Sequence, residues 1–333
     1  MGSSYRKIVC NGYTRSFRAA AEIAELPQVP PGPGQVLVRN RFGGVNASDV
    51  NIAAGVYFSD GTFPFDLGCE SVGEVLEVGQ GVNNVAPGDF VVSPSLGSAY
   101  GELIYRDALQ VLKVPECSPE VMTAVVCGCT ASIGLQTVGQ MGSGETVLIT
   151  AAAGGVGSWC VQLAKLAGNH VIGTCSTEEK ASELRRLGCD RVIVYRNEDL
   201  ATVLRTEYPN GIDLVFEQVG QETFDTCVDN IAERGRIVIC GFISEYTSGP
   251  QPVTAPRIYH KLLWKSAQLR AFLFSHWPDE LPGHIVANLA LVESGSVDPL
   301  VDRRVFNGLE QVVDAVEYLH AGGNSGKVVI RYP

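Results

Sequence analysis

A glycine-rich loop near the middle of the chain, within TVLITAAAGGVGSWCVQLAK at 146–165, has the spacing of a phosphate-binding loop. Ala151, Gly154 and Gly157 form the pattern A-x-x-G-x-x-G between an apolar run and an amphipathic one. Small residues let the backbone approach a pyrophosphate, and the following helix N-terminus offers N–H groups and a positive dipole. We therefore expect a dinucleotide site; the alternative is a tight turn that binds nothing. The expected contacts are Ala153, Gly154, Gly155, Val156 and Gly157.

The residues that follow the next predicted strand, HVIGTC, indicate which dinucleotide is bound. Folds that prefer NAD usually place a carboxylate here for the ribose hydroxyls, but this chain has Thr174–Ser176. Ser176 and Lys180, together with Tyr195 after the following strand, can surround a 2′-phosphate. The sequence therefore predicts NADPH. The alternative is a solvated helix N-terminus whose two glutamates favour the helix dipole.

The elements that must position these residues alternate between β and α from about 126 to 276. The predicted strands are TVLIT, HVIGTC, RVIVY, DLVFEQ, RIVICG and LRAFLF, and the predicted helices cover 156–168, 178–187, 198–206 and 221–233. Such alternation is typical of parallel strands joined by crossover helices. The fold class is therefore α/β, with a doubly wound parallel sheet.

The two ends of the chain read differently from this middle part. Residues 1–125 contain the short strands QVLVRNRF, ESVGEVLEVG, DFVVSPS, GELIYR and LQVLKVPE between PPGPG, GQG and APGD turns, which predicts a barrel-like unit. Residues 277–333 contain helices near 280–293 and 308–320 and a last strand, KVVIRY. We expect this last segment to pack back on the first domain.

Composition excludes some partners. The chain has 333 residues and a formal net charge of −11, so it has no general attraction for nucleic acid or anionic lipid. No apolar run approaches the roughly 18 residues of a membrane span, and the N-terminal MGSSYRK lacks the apolar region of a signal peptide. The ten cysteines are scattered and read as reduced thiols. We expect a soluble, cytoplasmic protein.

Six longer motifs carry a resemblance that runs from end to end: LVRNRFGGVNASDVNIAAGVY, PFDLGCESVGEV, VLITAAAGGVG, HVIGTCSTEEK, LGCDRVIVY and CGFISEY. On these the chain resembles the medium-chain dehydrogenase/reductases, in the zinc-free quinone oxidoreductase (zeta-crystallin) branch. The resemblance implies a GroES-like β-barrel catalytic domain built from 1–125 and 277–333, with a Rossmann NADPH domain at 126–276 between them. It also implies a homodimer and an NADPH-dependent reductase of enones such as 15-keto prostaglandins.

The resemblance also implies three residues that position or polarise the substrate carbonyl. Asn46 is one of them. The alternative interpretation is that Asn46 lies in a turn and caps the helix at Ser48. Tyr57 is the second, and its alternative is an aromatic ring packed on its own loop. Tyr246, in GFISEY, is the third and the favoured one, because that motif matches the prostaglandin reductases specifically. Its alternative is a tyrosine on a loop surface.

Further cofactor contacts are implied by the same resemblance. Phe272 and Phe274 are two of these contacts. They alternate along a predicted strand and so face one side, and the alternative for the pair is therefore core or dimer-edge packing. The edge strand at 268–273 resembles the strand through which relatives dimerise. The full set of implied contacts is Val219, Gly220, Phe242, Ile243, Tyr246, Phe272, Phe274 and Asn324.

Zinc is not expected. Where the zinc alcohol dehydrogenases carry a cysteine and a histidine, this chain has Asn46 and Cys69, and residues 70–116 contain no cysteine for a structural zinc lobe. A soft metal on Cys69, Cys127 and Cys129 is the remote alternative.

Three functions remain open at this point. The first is reduction of an enone by NADPH, and the second is reduction of a quinone, which needs the same cofactor and an open cleft. The third is a non-catalytic NADPH-binding role, crystallin-like or RNA-binding, which the acidic charge disfavours.

Overall fold

The chain divides into two units, and the first is assembled from two separate segments. The computed structural model describes residues 3–57, 59–254 and 256–333, so the first two residues of the N-terminal segment lie outside it. Unit 1 comprises Met1–Val126 and Val301–Pro333, and unit 2 comprises Cys127–Leu300. Residues 277–300, which the sequence analysis assigned to the returning segment, therefore lie in unit 2.

The first segment of unit 1 is mostly β. Its helices are α1 (Phe17–Ala20), α2 (Asp49–Ala53) and α3 (Pro119–Thr123), the last of which is capped by Ser118 with proline at its start. Its strands are β1 (Ser4–Cys10), β2 (Ala21–Pro27), β3 (Gln35–Gly44), β4 (Phe65–Asp66), β5 (Ser71–Val78), β6 (Phe90–Ser93), β7 (Leu103–Asp107) and β8 (Leu112–Val114).

Unit 2 alternates strands and helices as the sequence predicts. Each central strand is an apolar run buried on both faces, as parallel strands covered by helices require. The strands are β9 (Thr146–Ile149), β10 (His170–Cys175), β11 (Arg191–Val194), β12 (Ile212–Glu217), β13 (Ile231–Ile239) and β14 (Gln268–Ala271). The helices are α4 (Val126–Ser132), α5 (Gly155–Leu166), α6 (Glu178–Arg186), α7 (Leu200–Glu207), α8 (Gln221–Asp229), α9 (Tyr259–Lys265) and α10 (Leu281–Glu293).

The sheet of unit 2 has the strand order β11-β10-β9-β12-β13-β14, and all of its pairs are parallel. The direction of winding reverses between β9 and β12. In an open α/β sheet, ligands bind at the carboxyl ends of the strands at such a reversal. The glycine loop follows β9, so the sheet places it at this edge.

Two element boundaries in unit 2 differ from the prediction. The predicted helix over 221–233 ends at Asp229, because residues from Ile231 pair with β12 and form β13. That strand passes through Arg234, which has a φ of 61°, and its register against β12 shifts. The predicted strand LRAFLF ends at Ala271, because its partner β13 ends at Ile239, and Phe274 begins a 3₁₀ turn.

The second segment of unit 1 adds β15 (Phe306–Asn307), α11 (Val312–His320) and β16 (Val329–Arg331). β16 pairs antiparallel with β3, so the end of the chain joins the larger sheet, whose order is β15-β16-β3-β5-β6-β8 with β7 on β3. A smaller sheet has the order β2-β1-β4. Buried residues from both segments share one apolar core, for example Ile8, Tyr100, Val312 and Ile330.

A helical run over Pro119–Val138 is long and apolar enough by length and composition to cross a membrane. This corrects the expectation that no such run exists. The run consists of α3, α4 and a π-helical stretch at Ile133–Val138, and 83% of its apolar window is buried inside the protein. Burial of this extent is typical of a core helix.

Candidate active site

The glycine loop of unit 2 has the shape that a pyrophosphate needs. The N-cap of α5 is Gly154, so no side chain competes for the donors of the first helical turn. A Cβ on Gly157 would lie 2.4 Å from the carbonyl oxygen of Ala151 and 2.7 Å from the Cα of Ala152, so only glycine lets α5 pack this closely on the loop. Ala151 itself has a φ of 48°. The five predicted contacts at 153–157 lie together in this turn.

The residues predicted to bind a 2′-phosphate lie after β10 and β11, at the same edge of the sheet. Thr174 accepts the backbone N–H of Ala151 at 3.2 Å, so its hydroxyl is used to hold the glycine loop. Ser176 is buried, Lys180 is half-buried in the first turn of α6, and Tyr195 is exposed. No carboxylate occupies Thr174–Thr177, which leaves this end of β10 suited to an anionic group.

The loops after β12 and β13 meet beside this edge. Ser244 donates its backbone N–H and its hydroxyl to the carbonyl of Val219, at 3.1 Å and 2.6 Å. The ring of Phe242 packs edge-on against Tyr246, with centroids 4.9 Å apart, while Ile243 begins a 3₁₀ turn. Tyr246 is only 5% exposed, so the alternative of a loop-surface tyrosine is excluded.

Phe272 and Phe274 lie at the end of the sheet edge but do not share a strand. Phe272 packs against Phe216 of β12, with ring centroids 6.4 Å apart, and against Gly134, where a Cβ would lie 2.8 Å from its ring. Phe274 begins the turn that follows. Phe272 therefore makes packing contacts while it stays only partly buried, and its contact with the cofactor remains a prediction.

In unit 1, Asn46 belongs to a buried polar cluster that the sequence analysis did not foresee. Its side-chain oxygen accepts a hydrogen bond from the ammonium of Lys327 at 2.6 Å. Its amide nitrogen donates to Glu70 at 3.0 Å, to the sulfur of Cys69 at 3.2 Å and to the carbonyl of Gly44 at 3.3 Å. Lys327 also forms an ion pair with Glu70, and both side chains are almost completely buried. The amide is therefore fixed in one orientation.

Asp49, in the first turn of α2, continues this cluster. Its carboxylate accepts the backbone N–H of Asn46 at 2.8 Å and the hydroxyl of Tyr100 at 2.6 Å. Burial raises the pKa of Asp49 to about 6, in spite of these bonds and of Lys327 nearby. The backbone bond runs from Asn46 to the aspartate, and the Asn46 side chain does not cap α2. The capping alternative for Asn46 is therefore wrong.

Tyr57 and Asn324 also lie in unit 1. Tyr57 is 37% exposed, and its hydroxyl accepts a hydrogen bond from Asn51 at 3.4 Å. Asn324 lies in the loop between α11 and β16, where its amide donates to the carbonyl of Gly326 at 2.8 Å. The predicted site residues are thus distributed between the two units, with the glycine loop and Tyr246 in unit 2.

Comparison with known proteins gives the family. The alcohol dehydrogenase GroES-like domain matches residues 32–116, and the zinc-binding dehydrogenase domain matches residues 155–289. Prostaglandin reductase-3 from Mus musculus is 41% identical over 98% of this chain and 89% of its own length. The chain belongs to the medium-chain dehydrogenase/reductase family.

Other members of the medium-chain family match as fully. A probable quinone oxidoreductase from Leishmania amazonensis is 40% identical. The match covers 98% of this chain and 98% of that protein. The solved structure of Escherichia coli quinone oxidoreductase complexed with NADPH has a TM-score of 0.85 at 26% identity, covering 98% of this chain and 99% of that one. The predicted GroES-like and Rossmann fold class is confirmed.

The name of the matched zinc-binding dehydrogenase domain implies zinc, but the residues at the expected ligand positions of this chain do not suit it. Asn46 and Cys69 stand where a cysteine and a histidine were expected, and the ammonium of Lys327 already lies against Asn46 and Glu70. Burial, together with Asp49 and Glu70, raises the pKa of the Cys69 thiol well above its usual range.

Two residues of this family member were missed by the sequence analysis. Lys327, within NSGKVVIRY, is a charge beside an apolar strand, a pattern that could have marked it as a buried cation. Glu217 ends the apolar strand DLVFE and is 1% exposed. An acid at the carboxyl end of a central parallel strand lies at the ligand edge of the sheet, and that position was the available signal.

Proposed function

We propose that this chain is an NADPH-dependent, zinc-independent reductase that transfers hydride to the carbon–carbon double bond of α,β-unsaturated ketones. The observation that carries the proposal is the glycine turn at Gly154–Gly157, where a side chain at Gly157 would strike the backbone, in a chain similar over nearly its whole length to a prostaglandin reductase. Enones of the 15-keto prostaglandin type are the expected substrates.

NADPH supplies the hydride when it is bound. The first turn of α5 holds the pyrophosphate with its N–H groups. Ser176, Lys180 and Tyr195 bind the 2′-phosphate, for which the ammonium of Lys180 provides a charge-assisted hydrogen bond. The other proposed contacts are Val219, Gly220, Phe242, Ile243, Phe272, Phe274 and Asn324.

The carbonyl oxygen of an enone gains negative charge as hydride reaches the β-carbon, so a preorganised hydrogen-bond donor lowers the barrier. Tyr246 is the first candidate, because it is buried against Phe242 beside the loop that follows β12. Tyr57 is the second. Asn46 is the third, and it must release Cys69, Gly44 or Glu70 before its amide can donate to a substrate. The α-carbon takes its proton from a tyrosine hydroxyl or from water.

Reduction of quinones is the second candidate function. It is favoured by the similarity to quinone oxidoreductases from Leishmania amazonensis and Escherichia coli, and it uses the same hydride. A quinone presents a conjugated carbonyl to the same donors, so the two candidates differ in the substrate and not in the cofactor.

A homodimer and a reducing compartment complete the proposal. Among the described residues β14 has a strand on one side only, and the preceding helix α9 exposes Tyr259, Leu263 and Trp264. An open edge beside exposed apolar side chains suits pairing with a second copy.

All ten cysteines are free thiols, which suits the cytoplasm. The net charge of −11 argues against nucleic acid and anionic membranes as partners.

The test follows NADPH oxidation with a panel of enones and a panel of quinones, using protein purified without added metal and protein treated with a chelator. Turnover of enones that survives the chelator is expected. Turnover of quinones alone would transfer the assignment to the second candidate. Tight NADPH binding without turnover on either panel would overturn the enzymatic proposal, and a monomer in sedimentation would overturn the dimer.

A further inference from the structure

Glu217 is a buried acid at the carboxyl end of β12 that has no role in the reaction described above. It is 1% exposed. Its carboxylate accepts the backbone N–H of Val219 at 2.8 Å and that of Gly220 at 3.1 Å, the latter with both oxygens. The hydroxyl of Thr150 lies 3.3 Å from the same group. A buried anion with these partners fixes the turn that immediately follows it.

The turn held by Glu217 has a backbone conformation that favours glycine and lies close to a neighbouring loop. Gly220 has a φ of 85°, which favours glycine, and a Cβ there would lie 3.0 Å from the Cβ of Phe242. The turn is therefore confined on one side by the loop after β13 and on the other by the carboxylate. Loss of the carboxylate would leave two backbone N–H groups without their acceptor.

The turn is also tied to the strand that leads into the glycine loop. Gln218 donates its backbone N–H to the hydroxyl of Thr150 at 2.9 Å and its side-chain amide to the Thr150 carbonyl at 2.7 Å. Thr150 directly precedes Ala151, the first residue of the glycine pattern. The position of the turn is thus set relative to the proposed pyrophosphate site.

A second set of contacts runs from the turn to Tyr246. The carbonyl of Gln218 accepts the N–H of Ile243 at 3.1 Å, and the carbonyl of Val219 accepts two bonds from Ser244. The Tyr246 ring then packs on Phe242, and its hydroxyl lies so close to the loop that a Cβ on Gly241 would be 2.7 Å away. The loops after β12 and β13 therefore form one framework.

We propose that Glu217 is a positioning residue: its carboxylate fixes the Val219–Gly220 turn and, through that turn, both the cofactor contacts and the hydroxyl of Tyr246. The inference rests on the proposed function, because it assigns these loops to the cofactor and the substrate. Glu217 itself contacts neither and acts only through the groups it holds.

The charge of Glu217 should make the affinity for the cofactor depend on pH. Burial raises the pKa of its carboxyl. The titratable groups that face it are Cys227 on α8 and Cys240 after β13; burial raises the pKa of both thiols, that of Cys240 to about 12, so they stay neutral. Protonation of Glu217 removes an acceptor from the turn, so cofactor affinity falls as the pH falls through this raised pKa.

Folding stability has the opposite sign. A carboxyl whose pKa is higher in the folded state stabilises the fold below its unfolded pKa, and that contribution is lost as the pH rises through the folded pKa. Cofactor affinity and thermal stability should therefore change in opposite directions with pH at this group. A purely structural role would change stability alone.

The experiment compares Glu217→Gln with Asp213→Asn, a matched change at the other end of the same strand. Asp213 accepts the backbone N–H of Thr146 at 2.8 Å, far along β12 from the turn. NADP⁺, which survives acid, is titrated by calorimetry from weakly acidic to neutral pH, and enone turnover is measured with NADPH. Glu217→Gln should weaken NADP⁺ binding at neutral pH by about 10-fold or more, lower kcat, and reduce the acid-side loss of affinity. The loss that remains should be that of the 2′-phosphate, whose own second pKa is about 6. Asp213→Asn should match the wild type in all three.

Unchanged affinity, kcat and pH profile in a folded Glu217→Gln protein would overturn the proposal, whatever happens to its melting temperature. If that variant does not fold, Thr150→Val takes its place, because it removes the hydroxyl that contacts Glu217 and Gln218. Thr150→Val should weaken NADP⁺ binding. Unaltered binding in this variant overturns the proposal. Wild-type protein that binds NADP⁺ but reduces no substrate would refute the proposed function, while the binding measurements would still decide the role of Glu217.

Discussion

Replacing Lys327 by methionine should destabilise unit 1 severely. The substitution keeps most of the aliphatic stem and removes the ammonium. In the wild type this ammonium bonds Asn46 at 2.6 Å and pairs with Glu70, and the two charged side chains are 2% and 0% exposed. After the change Glu70 keeps one oxygen bonded to the Asn46 amide, while its other oxygen is buried and has no hydrogen-bond partner among the residues that the structure describes.

The size of the effect follows from that burial. Removing one partner of a buried ion pair leaves an uncompensated charge and typically costs about 3–5 kcal/mol in the free energy of unfolding. Removing both charges, as in Lys327→Met with Glu70→Gln, leaves neutral groups that can still bond Asn46. The double variant should therefore lose less than the single one, by roughly 2 kcal/mol, which a double-mutant cycle measures.

The assay must report on unit 1 by itself. The three tryptophans, Trp159, Trp264 and Trp277, all lie in unit 2, so their fluorescence follows the unfolding of that unit. Hydrogen exchange measured by mass spectrometry on peptides from β3 and β16 follows unit 1. Faster exchange in those peptides is expected for Lys327→Met at denaturant concentrations where the tryptophan signal is still native.

Lys7→Met is the matched control, because it removes a lysine from an ion pair of the same unit in a more exposed place. Lys7 pairs with Asp66 at 2.8 Å, with the side chains 22% and 35% exposed. A pair of this kind contributes about 0–1 kcal/mol. If Lys327→Met costs no more than this control, or if the double variant is less stable than the single one, the assignment of a buried and essential ion pair is wrong.

Three further outcomes are expected. Lys180→Ala should weaken NADPH binding by roughly 1.5–3 kcal/mol and leave NADH binding nearly unchanged, and equal losses in calorimetry would remove the 2′-phosphate contact. Gly157→Ala should abolish cofactor binding, since its Cβ would lie 2.4 Å from a backbone carbonyl oxygen, whereas Gly283→Ala in open space on α10 should be tolerated. Tyr246→Phe should lower enone kcat about 10- to 1,000-fold with little change in NADPH affinity; full activity in that variant together with its loss in Tyr57→Phe would transfer the donor role to Tyr57.

The parts of the fold that the sequence predicts are those governed by local patterns. The glycine loop is recognisable because its spacing and flanking elements are contiguous, and the alternation of β and α segments predicts a parallel sheet without giving its strand order. The ion pair between Lys327 and Glu70 was missed because it is non-local: the two residues are 257 positions apart, and Lys327 is 281 positions from Asn46. No periodicity within either segment encodes that contact.

The boundary errors have a physical cause of the same kind. In IAERGRIVI the polar residues between two apolar runs read as a helix end, but pairing with β12 draws Ile231 and Ala232 into β13. At LRAFLF the apolar alternation favours a longer strand, yet β13 ends and offers no further ladder partner. In both places tertiary hydrogen bonding decided the outcome over local preference.

The division of unit 1 into two segments has a consequence for synthesis on the ribosome. Residues 127–300 emerge as one continuous stretch and can fold while translation, at about 5–20 residues per second, continues. The unit that precedes them must wait, because β3 has no β16 beside it until residues 329–331 appear. Through that interval Glu70 has no Lys327 to neutralise it. The first segment of unit 1 therefore has an open sheet edge at β3 in the nascent chain. Chaperones that bind such edges can act on it until residues 329–331 have been synthesised.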